Sequence, residues 1–358
     1  MSEHPQIPNG RGARSNPAGR YERQSSQAFD DGWNDQDAPV PKLNTEVTAE
    51  RARTIITRNQ SPDIHFDRSI NPYRGCEHGC IYCYARPAHA YVGLSPGLDF
   101  ESRLFFKADA ARLLAEALAH PSYTPRPIHI GGNTDPYQPI ETRLKVTRGL
   151  LEVLERFHHP FTIITKSASI LRDCDILARM SERGLAGVYV SVTTLDRKLA
   201  RSMEPRASTP SRRLDALRRL SDLGVRTGVG FAPVIPGLND HEMENILEAA
   251  ARAGASSCMY VMLRLPAEVR DLFEEWLLRD HPDRAARVLS LVRQTQGRRD
   301  YDSSWGARMV GRGPVADLVA QRFAAAVRRY GLDHRHPTLR TDLFRKPRPP
   351  SAQPDLFG

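Results

Sequence analysis

The middle of this 358-residue chain predicts an α/β protein, folded as a partial (β/α) barrel with a C-terminal helical layer and disordered tails. Short apolar runs alternate with amphipathic helical segments in five or six successive units, which is typical of right-handed βαβ connections and a parallel sheet. Such units, spread over about 200 residues, fit a barrel better than a short doubly wound sheet. Proline-rich polar segments flank the alternating region on both sides.

The units follow in chain order, with strands predicted at 128–130, 161–164, 188–192, 225–231 and 257–262. Helices are predicted at 145–157, 171–182 and 242–253. Another begins at Pro210, after Thr209 as its N-cap, and ends at Gly224. A leucine stripe at Leu214, Leu217 and Leu220 marks its buried face, and the neighbouring arginines are predicted to form a solvated face: Arg212, Arg213, Arg218 and Arg219.

Composition divides the chain into four parts, with a disordered tail at 1–50, a core barrel at 51–266, a helical extension at 267–333 and a basic Pro-rich tail at 334–358. Ten of the 27 prolines lie in residues 1–42 and 334–358, which favours disorder there. No run approaches the roughly 18 apolar residues of a membrane span, and the first 20 residues contain no signal peptide pattern. Five cysteines exclude a disulfide scaffold, so we expect a soluble cytoplasmic protein.

Basic residues outnumber acidic ones, with 51 lysines and arginines against 42 aspartates and glutamates, for a net charge of +9. Only six of the basic residues are lysine. The surplus favours a polyanionic partner such as nucleic acid, because the planar guanidinium matches phosphate. The alternative is a sequence that uses arginine wherever a surface cation suffices, and the composition leaves both interpretations open.

Polar residues follow the predicted strands where each strand ends. They are Gly131-Gly132-Asn133-Thr134-Asp135, Thr165-Lys166-Ser167, Ser191-Val192-Thr193-Thr194 and the segment 233–239. Carboxyl ends of parallel strands meet at one edge, where barrels place their sites. Each segment alone is also ordinary turn chemistry, so only their coincidence predicts a site at this edge.

Cys76, Cys80 and Cys83 carry the strongest signal in the chain. Three thiols within eight residues can surround one face of a metal centre, and Gly75 and Gly79 loosen the backbone. A structural zinc site needs four ligands, usually in two pairs, and His78 or His89 would have to complete it. A [4Fe–4S] cluster held by three thiolates would leave one iron open to a ligand. The spacing and the barrel pattern favour the cluster, with zinc as the alternative.

The C-x3-C-x2-C motif with an aromatic residue before its last cysteine resembles the radical S-adenosylmethionine (SAM) superfamily. Residues 71–87 (NPYRGCEHGCIYCYARP) and 133–141 (NTDPYQPIE) are similar to the branch that contains spore photoproduct lyase and its uncharacterised relatives. The resemblance covers roughly residues 50–330 and implies a radical SAM-type barrel. It also implies a cluster whose open iron binds SAM, and reductive cleavage of SAM to a 5′-deoxyadenosyl radical.

The resemblance assigns roles residue by residue. It implies Cys76, Cys80 and Cys83 as cluster ligands. It implies that Tyr82 and the segment 234–237 lie near the adenine of SAM and that Gly131 and Gly132 meet its amino group. Lys166 and Ser191 are implied at the SAM carboxylate and ribose. Asn133 stands where the family usually has an acidic residue, so Thr134 or Asp135 is expected to replace it.

One departure limits the resemblance. Spore photoproduct lyase has an extra cysteine soon after its cluster motif, whereas here no cysteine follows Cys83 until Cys174. We expect Cys174 and Cys258 to be structural, so the thymine-dimer lyase reaction does not carry over. The resemblance therefore implies an enzyme acting on nucleic acid, with DNA lesion repair ahead of RNA modification, and with a flavodoxin or ferredoxin as electron donor. Modification of a protein or small molecule is an alternative, as is a cysteine-bound metal or redox-sensing binding module.

The last six residues contain a short motif of their own. Gln353, Asp355, Leu356 and Phe357 resemble the peptide with which bacterial DNA polymerases and repair proteins bind the replication sliding clamp. Two adjacent apolar side chains could fill a pocket while the glutamine gives a directional hydrogen bond. The alternative is that the pair folds back onto the helical layer.

Overall fold

A seven-stranded sheet organises the protein in a computed structural model that describes residues 10–21, 43–297, 301, 303–333 and 338–347. The described strands are β1 (Glu46–Glu50), β2 (Ile56–Arg58), β3 (Arg68–Ile70), β4 (Tyr73–Arg74), β5 (Arg103–Lys107), β6 (Ile128–Ile130), β7 (Phe161–Thr165), β8 (Ala186–Ser191), β9 (Thr227–Val234) and β10 (Ser257–Met262). The large sheet has the order β10-β9-β8-β7-β6-β3-β2, and a smaller sheet has the order β1-β5-β4.

Helices connect the strands of the large sheet and cover its outer face. The described helices are α1 (Asp99–Ser102), α2 (Ala110–Ala119), α3 (Glu141–Leu144), α4 (Val146–Arg156), α5 (Cys174–Glu182), α6 (Arg197–Met203), α7 (Pro210–Asp222), α8 (Met243–Arg252), α9 (Val269–Asp280), α10 (Pro282–Thr295) and α11 (Pro314–Tyr330). None of these helices has the length and apolar character needed to cross a bilayer.

Strands β3 and β6 to β10 run parallel, and only β2 at the edge is antiparallel. Successive side chains of each strand point to opposite faces of the sheet. In β8, Val188 and Val190 point to the face that packs in the core beneath the helices. Between them Tyr189 faces the other way and lies against Gly228 of β9, where an added Cβ would approach its ring to 2.6 Å. Parallel strands with helices on the outer face confirm the predicted partial (β/α) barrel.

The predicted barrel elements are found with small shifts at their ends. Strand β10 has the predicted bounds, and α7 begins at Pro210 as expected. Gly224, just beyond α7, has φ of +75°, the left-handed conformation that ends helices and favours glycine. The C-terminal helical layer is confirmed by α9, α10 and α11, whereas the sequence interpretation missed the small sheet.

The described part of the C-terminal tail differs from the expectation of disorder. Leu339 is buried, and the Arg340 and Arg345 amides donate to the carbonyls of Gly184 and Phe157, each at 3.0 Å. Phe344 packs its ring against Phe157 and His159. The apolar residues in this polar segment bury themselves on the barrel and fix the backbone between them. The predicted clamp-binding residues lie outside the described part of the chain.

His159, beneath the C-terminal segment, gives a prediction about pH. Its ring is fully buried, and burial together with the Arg68 charge lowers its pKa to about 4. The unfolded chain, with a histidine pKa near 6.5, therefore binds the proton more readily than the folded protein. Stability should fall by about 3 kcal/mol as the pH drops from about 6.5 to 4. Urea unfolding at several pH values measures this loss.

The variant His159→Gln should lose most of that slope between pH 6.5 and 4, because glutamine does not titrate there. His120→Gln, at an exposed histidine, is the matched control and should keep the wild-type slope. A His159→Gln protein with the wild-type slope would contradict the assignment.

Candidate active site

The cysteine loop, residues 75–86, follows β4 and lies against the loops that leave the carboxyl ends of β6 and β8. The Glu77 amide donates to Gln138 Oε1 at 2.9 Å, and the Arg206 amide donates to the carbonyl of His78 at 3.3 Å. Gly79 has φ of +67°, and an added Cβ would lie 2.6 Å from Glu101 Oε2. Glycine is therefore required there by both conformation and space.

The three thiols of the loop are free, with Cys76 and Cys80 buried and Cys83 half-buried. Cys83 packs against the apolar groups around both other cysteines. Burial, then the Asp135 charge and the Cys80 thiolate, raises the pKa of Cys76. Burial and the Glu204 charge likewise raise the pKa of Cys80. These thiols stay neutral until a cation compensates the charge of the thiolate, which is what a bound metal does.

This donor set fits an iron–sulfur cluster in its chemistry, because thiolates are the usual ligands of such clusters. Among the described residues, no three His, Cys, Asp or Glu side chains converge on one ion position. A cluster does not require such convergence, because its thiolates bind different irons.

A fully buried ion pair, Arg86 with Glu101, fixes the backbone of the loop. The Arg86 guanidinium donates to the carbonyls of Gly79 at 3.2 Å and Cys80 at 3.0 Å. It also donates to the carbonyls of Pro96 and Gly97 and to Glu101 Oε1. Both side chains have no exposed surface. Arg86 therefore holds the middle of the cysteine loop by donating to its backbone carbonyl groups.

The loop after β6 brings Asp135 beside the cysteine loop. Asp135 accepts hydrogen bonds from Thr165 Oγ1 and the Lys166 amide, each at 2.7 Å, and its Oδ2 lies 3.3 Å from His78 Nδ1. Burial raises the pKa of this carboxyl, but His78 and the hydrogen bonds outweigh burial and lower it to about 2. Both Asp135 oxygens are thus used within the protein, where they connect β6, β7 and the cysteine loop.

The other residues of this loop have separate contacts. Gly131 has φ of +96°, and an added Cβ would lie 2.7 Å from the carbonyl oxygen of Ile164. Gly132 accepts a hydrogen bond from the Tyr84 hydroxyl through its carbonyl. The Asn133 amide donates to Asn71 Oδ1 at 2.8 Å, and Thr134 Oγ1 donates to the carbonyl of Tyr73 at 3.1 Å. Thr134 is therefore occupied within the protein, like Asp135, and the assignment of this loop to SAM binding stays a prediction.

Tyr82 takes part in a buried network that sequence reasoning did not anticipate. Its hydroxyl donates to Glu204, which also accepts from Arg213 and from Thr193 Oγ1. Burial raises the pKa of Glu204, but the charges of Arg213 and Lys166 with the Tyr82 hydrogen bond outweigh burial and lower it. Glu204 is therefore an anion that fixes the Tyr82 ring by accepting a hydrogen bond from its hydroxyl.

Arg213 corrects the expectation of a solvated arginine face on α7, because only 1% of its side chain is exposed. A signal in the sequence could have found it: Arg213 lies four and seven residues before Leu217 and Leu220, on the same helical stripe. Its Nη1 donates to the carbonyl of Ser191 at 3.1 Å, which links α7 to the end of β8.

The remaining predicted residues also lie at the carboxyl ends of their strands. Lys166 places Nζ 5.9 Å from the centre of the Tyr82 ring and forms no ion pair with any described residue. Ser191 is buried and its Oγ donates to the carbonyl of Ala232 at 3.4 Å. In the segment 234–237, the Ile235 amide donates to Asn239 Oδ1 at 2.6 Å.

Comparison with known families decides the class of this protein. The radical SAM superfamily matches residues 70–250, which is half of the chain and includes the cysteine loop and strands β6 to β9. The chain belongs to the radical SAM superfamily. An uncharacterized protein of Mycobacterium tuberculosis is 34% identical over 231 residues, or 64% of this chain and 68% of the relative. An uncharacterized protein of Methanocaldococcus jannaschii is 28% identical over 197 residues, or 55% of this chain and 71% of the relative.

Solved structures show the same radical SAM fold. A spore photoproduct lyase variant aligns with a TM-score of 0.57 and 16% identity over 80% of this chain and 81% of its own. Another variant, solved with bound S-adenosylmethionine and dinucleoside spore photoproduct, aligns with a TM-score of 0.56 and 16% identity over 82% of each chain. At this identity the likeness shows the fold.

Proposed function

We propose that this radical SAM protein binds a [4Fe–4S] cluster through Cys76, Cys80 and Cys83 and cleaves SAM reductively, and that the resulting radical acts on nucleic acid. The observation that carries the proposal is three free thiols in one loop, two of them buried, beside the carboxyl ends of β6 and β8 in the part of the chain that the family matches. The proximity of the thiols to one another in one loop, with Cys83 packed against the groups around Cys76 and Cys80, supports a shared occupant.

When bound, the cluster supplies one electron that breaks the C5′–S bond of SAM and gives methionine and a 5′-deoxyadenosyl radical. The Tyr82 ring, fixed by Glu204, offers an apolar face for the adenine. Lys166, which forms no ion pair with the described residues, offers an ammonium for the SAM carboxylate. The backbone at Gly131 and Gly132 carries no side chains, as close approach of the SAM amino group would require. Ser191 is proposed as a ribose contact, although its hydroxyl bonds within the protein here.

Nucleic acid is the proposed substrate class, with DNA lesion repair favoured over RNA modification. A spore photoproduct lyase of the same fold was solved with a dinucleoside photoproduct, and the present chain has a net charge of +9. The chain lacks a cysteine between Cys83 and Cys174, so the thymine-dimer lyase reaction is not part of this proposal. A radical SAM reaction on RNA, protein or a small molecule remains the alternative.

Anaerobic reconstitution tests the chemistry directly. We expect brown protein that contains iron and sulfide and that forms 5′-deoxyadenosine from SAM in the presence of a strong reductant. Colourless protein that binds stoichiometric zinc and never cleaves SAM would instead support a cysteine-bound metal or redox-sensing module.

Salt dependence tests the substrate class. If the chain binds nucleic acid through arginines, its affinity for single- or double-stranded DNA should fall steeply as salt rises, because phosphate contacts release counterions. Six such contacts would reduce the affinity about a thousandfold between 50 and 200 mM salt. Fluorescence anisotropy with labelled DNA and RNA measures this dependence. Affinity that is absent, or that does not change with salt, would contradict a nucleic-acid substrate.

Two partners complete the proposal. A flavodoxin or ferredoxin in the cytoplasm is proposed to deliver the electron. The C-terminal residues Gln353, Asp355, Leu356 and Phe357 are proposed to bind the replication sliding clamp, which would bring the enzyme to DNA. Clamp affinity with and without residues 353–358 measures the second interaction, and equal affinity of the two forms would discard it.

A further inference from the structure

Residues 10–21, here called the N-terminal strap, lie directly against the cysteine loop although the sequence predicts disorder for them. Arg11, Gly12 and Ala13 are buried, and Ala13 packs in the same apolar cluster as Cys80 and Ile81. A Cβ added at Gly12 would overlap with the carbonyl oxygen of Gly79, which lies between Cys76 and Cys80. The two backbones are therefore in van der Waals contact, with no room for a side chain.

Hydrogen bonds connect the strap to the ion pair that fixes the loop. The amides of Gly12 and Ala13 each donate at 2.8 Å to one oxygen of the Glu101 carboxylate. The same carboxylate pairs with Arg86, whose guanidinium binds the carbonyls of Gly79 and Cys80. Two strap amides thus satisfy a carboxylate that has no access to water.

Arg11 provides a second connection, which reaches the loop by way of Glu77. Its guanidinium donates to the carbonyl of Glu101 at 2.6 Å, to the carbonyl of Leu43 at 3.0 Å and to Thr45 Oγ1 at 2.9 Å. Thr45 in turn donates to Oε1 of Glu77 at 2.5 Å, and Glu77 directly follows Cys76 in the loop. The strap therefore meets the loop directly at Gly79 and indirectly, through Thr45, at Glu77.

We propose that the N-terminal strap is a positioning segment for the cysteine loop, which it holds in its folded conformation and shields from solvent through Gly12, Ala13 and Arg11. The importance of the strap for the cluster rests on the proposed function, whereas its effect on the thiols does not. The barrel core beneath the helices contains no strap residue among those described, so disturbing the strap should loosen the loop and leave the barrel folded.

The test compares two glycines of the strap in the cluster-free protein under anaerobic conditions. Gly12→Ala places a methyl group against the Gly79 carbonyl, whereas Gly19→Ala places one in ordinary contact, 3.4 Å from the Ala90 Cβ. Alkylation by iodoacetamide is followed at each cysteine by peptide mass spectrometry, with the buried Cys258 of β10 as internal reference. We expect Gly12→Ala to raise the rates at Cys76 and Cys80 about tenfold, as the loss of a buried hydrogen bond allows, and Gly19→Ala to leave them unchanged.

Arg11→Ala is a second variant that removes hydrogen bonds without adding atoms, and it should raise the same two rates. Equal rates in wild type, Gly12→Ala and Arg11→Ala would overturn the proposal. A rise of the same size at Cys258 would also overturn it, because the strap would then support the whole fold. After loading with iron and sulfide, both variants should lose iron to a chelator faster than wild type. Failure of wild type itself to hold iron would count against the proposed function and leave the alkylation result standing.

Discussion

Replacing Cys80 with alanine is expected to abolish iron–sulfur loading and, with it, formation of 5′-deoxyadenosine. The two remaining thiols, Cys76 and Cys83, cannot hold a cluster that normally takes at least three protein thiolates. Iron and sulfide analysis after anaerobic reconstitution measures the loss, together with the visible absorption of the protein. Because Cys80 is buried and small, alanine leaves little space unfilled and the fold should persist.

Cys174→Ala is the matched control, since Cys174 begins α5 on the outer layer and is the next cysteine in the chain. It should load iron and cleave SAM like wild type. A Cys80→Ala protein with wild-type iron and sulfide would remove the three-cysteine assignment. A Cys174→Ala protein without iron would show that the assignment chose the wrong cysteines.

Replacing Arg86 with alanine should give the largest loss of stability. The change leaves the Glu101 carboxylate fully buried without its cation, and it removes donors from the carbonyls of Gly79 and Cys80. Breaking a buried ion pair by removing one partner costs about 3–5 kcal/mol. Chemical denaturation at neutral pH measures the change in the free energy of unfolding.

Two further variants separate the buried charge from other causes. Adding Glu101→Gln to Arg86→Ala should recover part of the lost stability, because the unpaired buried charge is removed and one of the two strap amides keeps an acceptor oxygen. Arg218→Ala is the control on the surface, where Arg218 pairs with Asp215 and Asp222 in water, and it should cause no measurable change. If Arg86→Ala proved as stable as Arg218→Ala, the ion pair would not hold the loop.

The cysteine motif and the strand–helix order were predictable because both are local in sequence. The spacing of Cys76, Cys80 and Cys83 needs only eight residues, and the helix signals at Pro210 and Gly224 act within one turn. The predicted residues Lys166 and Ser191 end neighbouring strands, and parallel pairing alone brings such ends to one edge.

The supporting groups were not predictable in the same way, because their partners are distant in sequence. Tyr82 and Glu204 are 122 residues apart, and Gly12 and Glu101 are 89 apart. Neither pair leaves a periodic pattern, since each depends on how separate elements meet. The strap is held by hydrogen bonds from backbone amides and by a close glycine contact. Such contacts leave no hydrophobic pattern, so the polar composition of the strap predicts disorder.

The described C-terminal residues, 338–347, pack on one particular side of the large sheet. Lys346 donates to the carbonyls of His120 and Pro121, and the Arg345 amide donates to that of Phe157, all just before the amino ends of β6 and β7. The cysteine loop lies at the carboxyl ends of the same strands. The contacts made by residues 340–346 therefore lie on the opposite side of the sheet from the thiols. A surface that bound the protein at residues 338–347 would therefore leave the cysteine loop facing away from it.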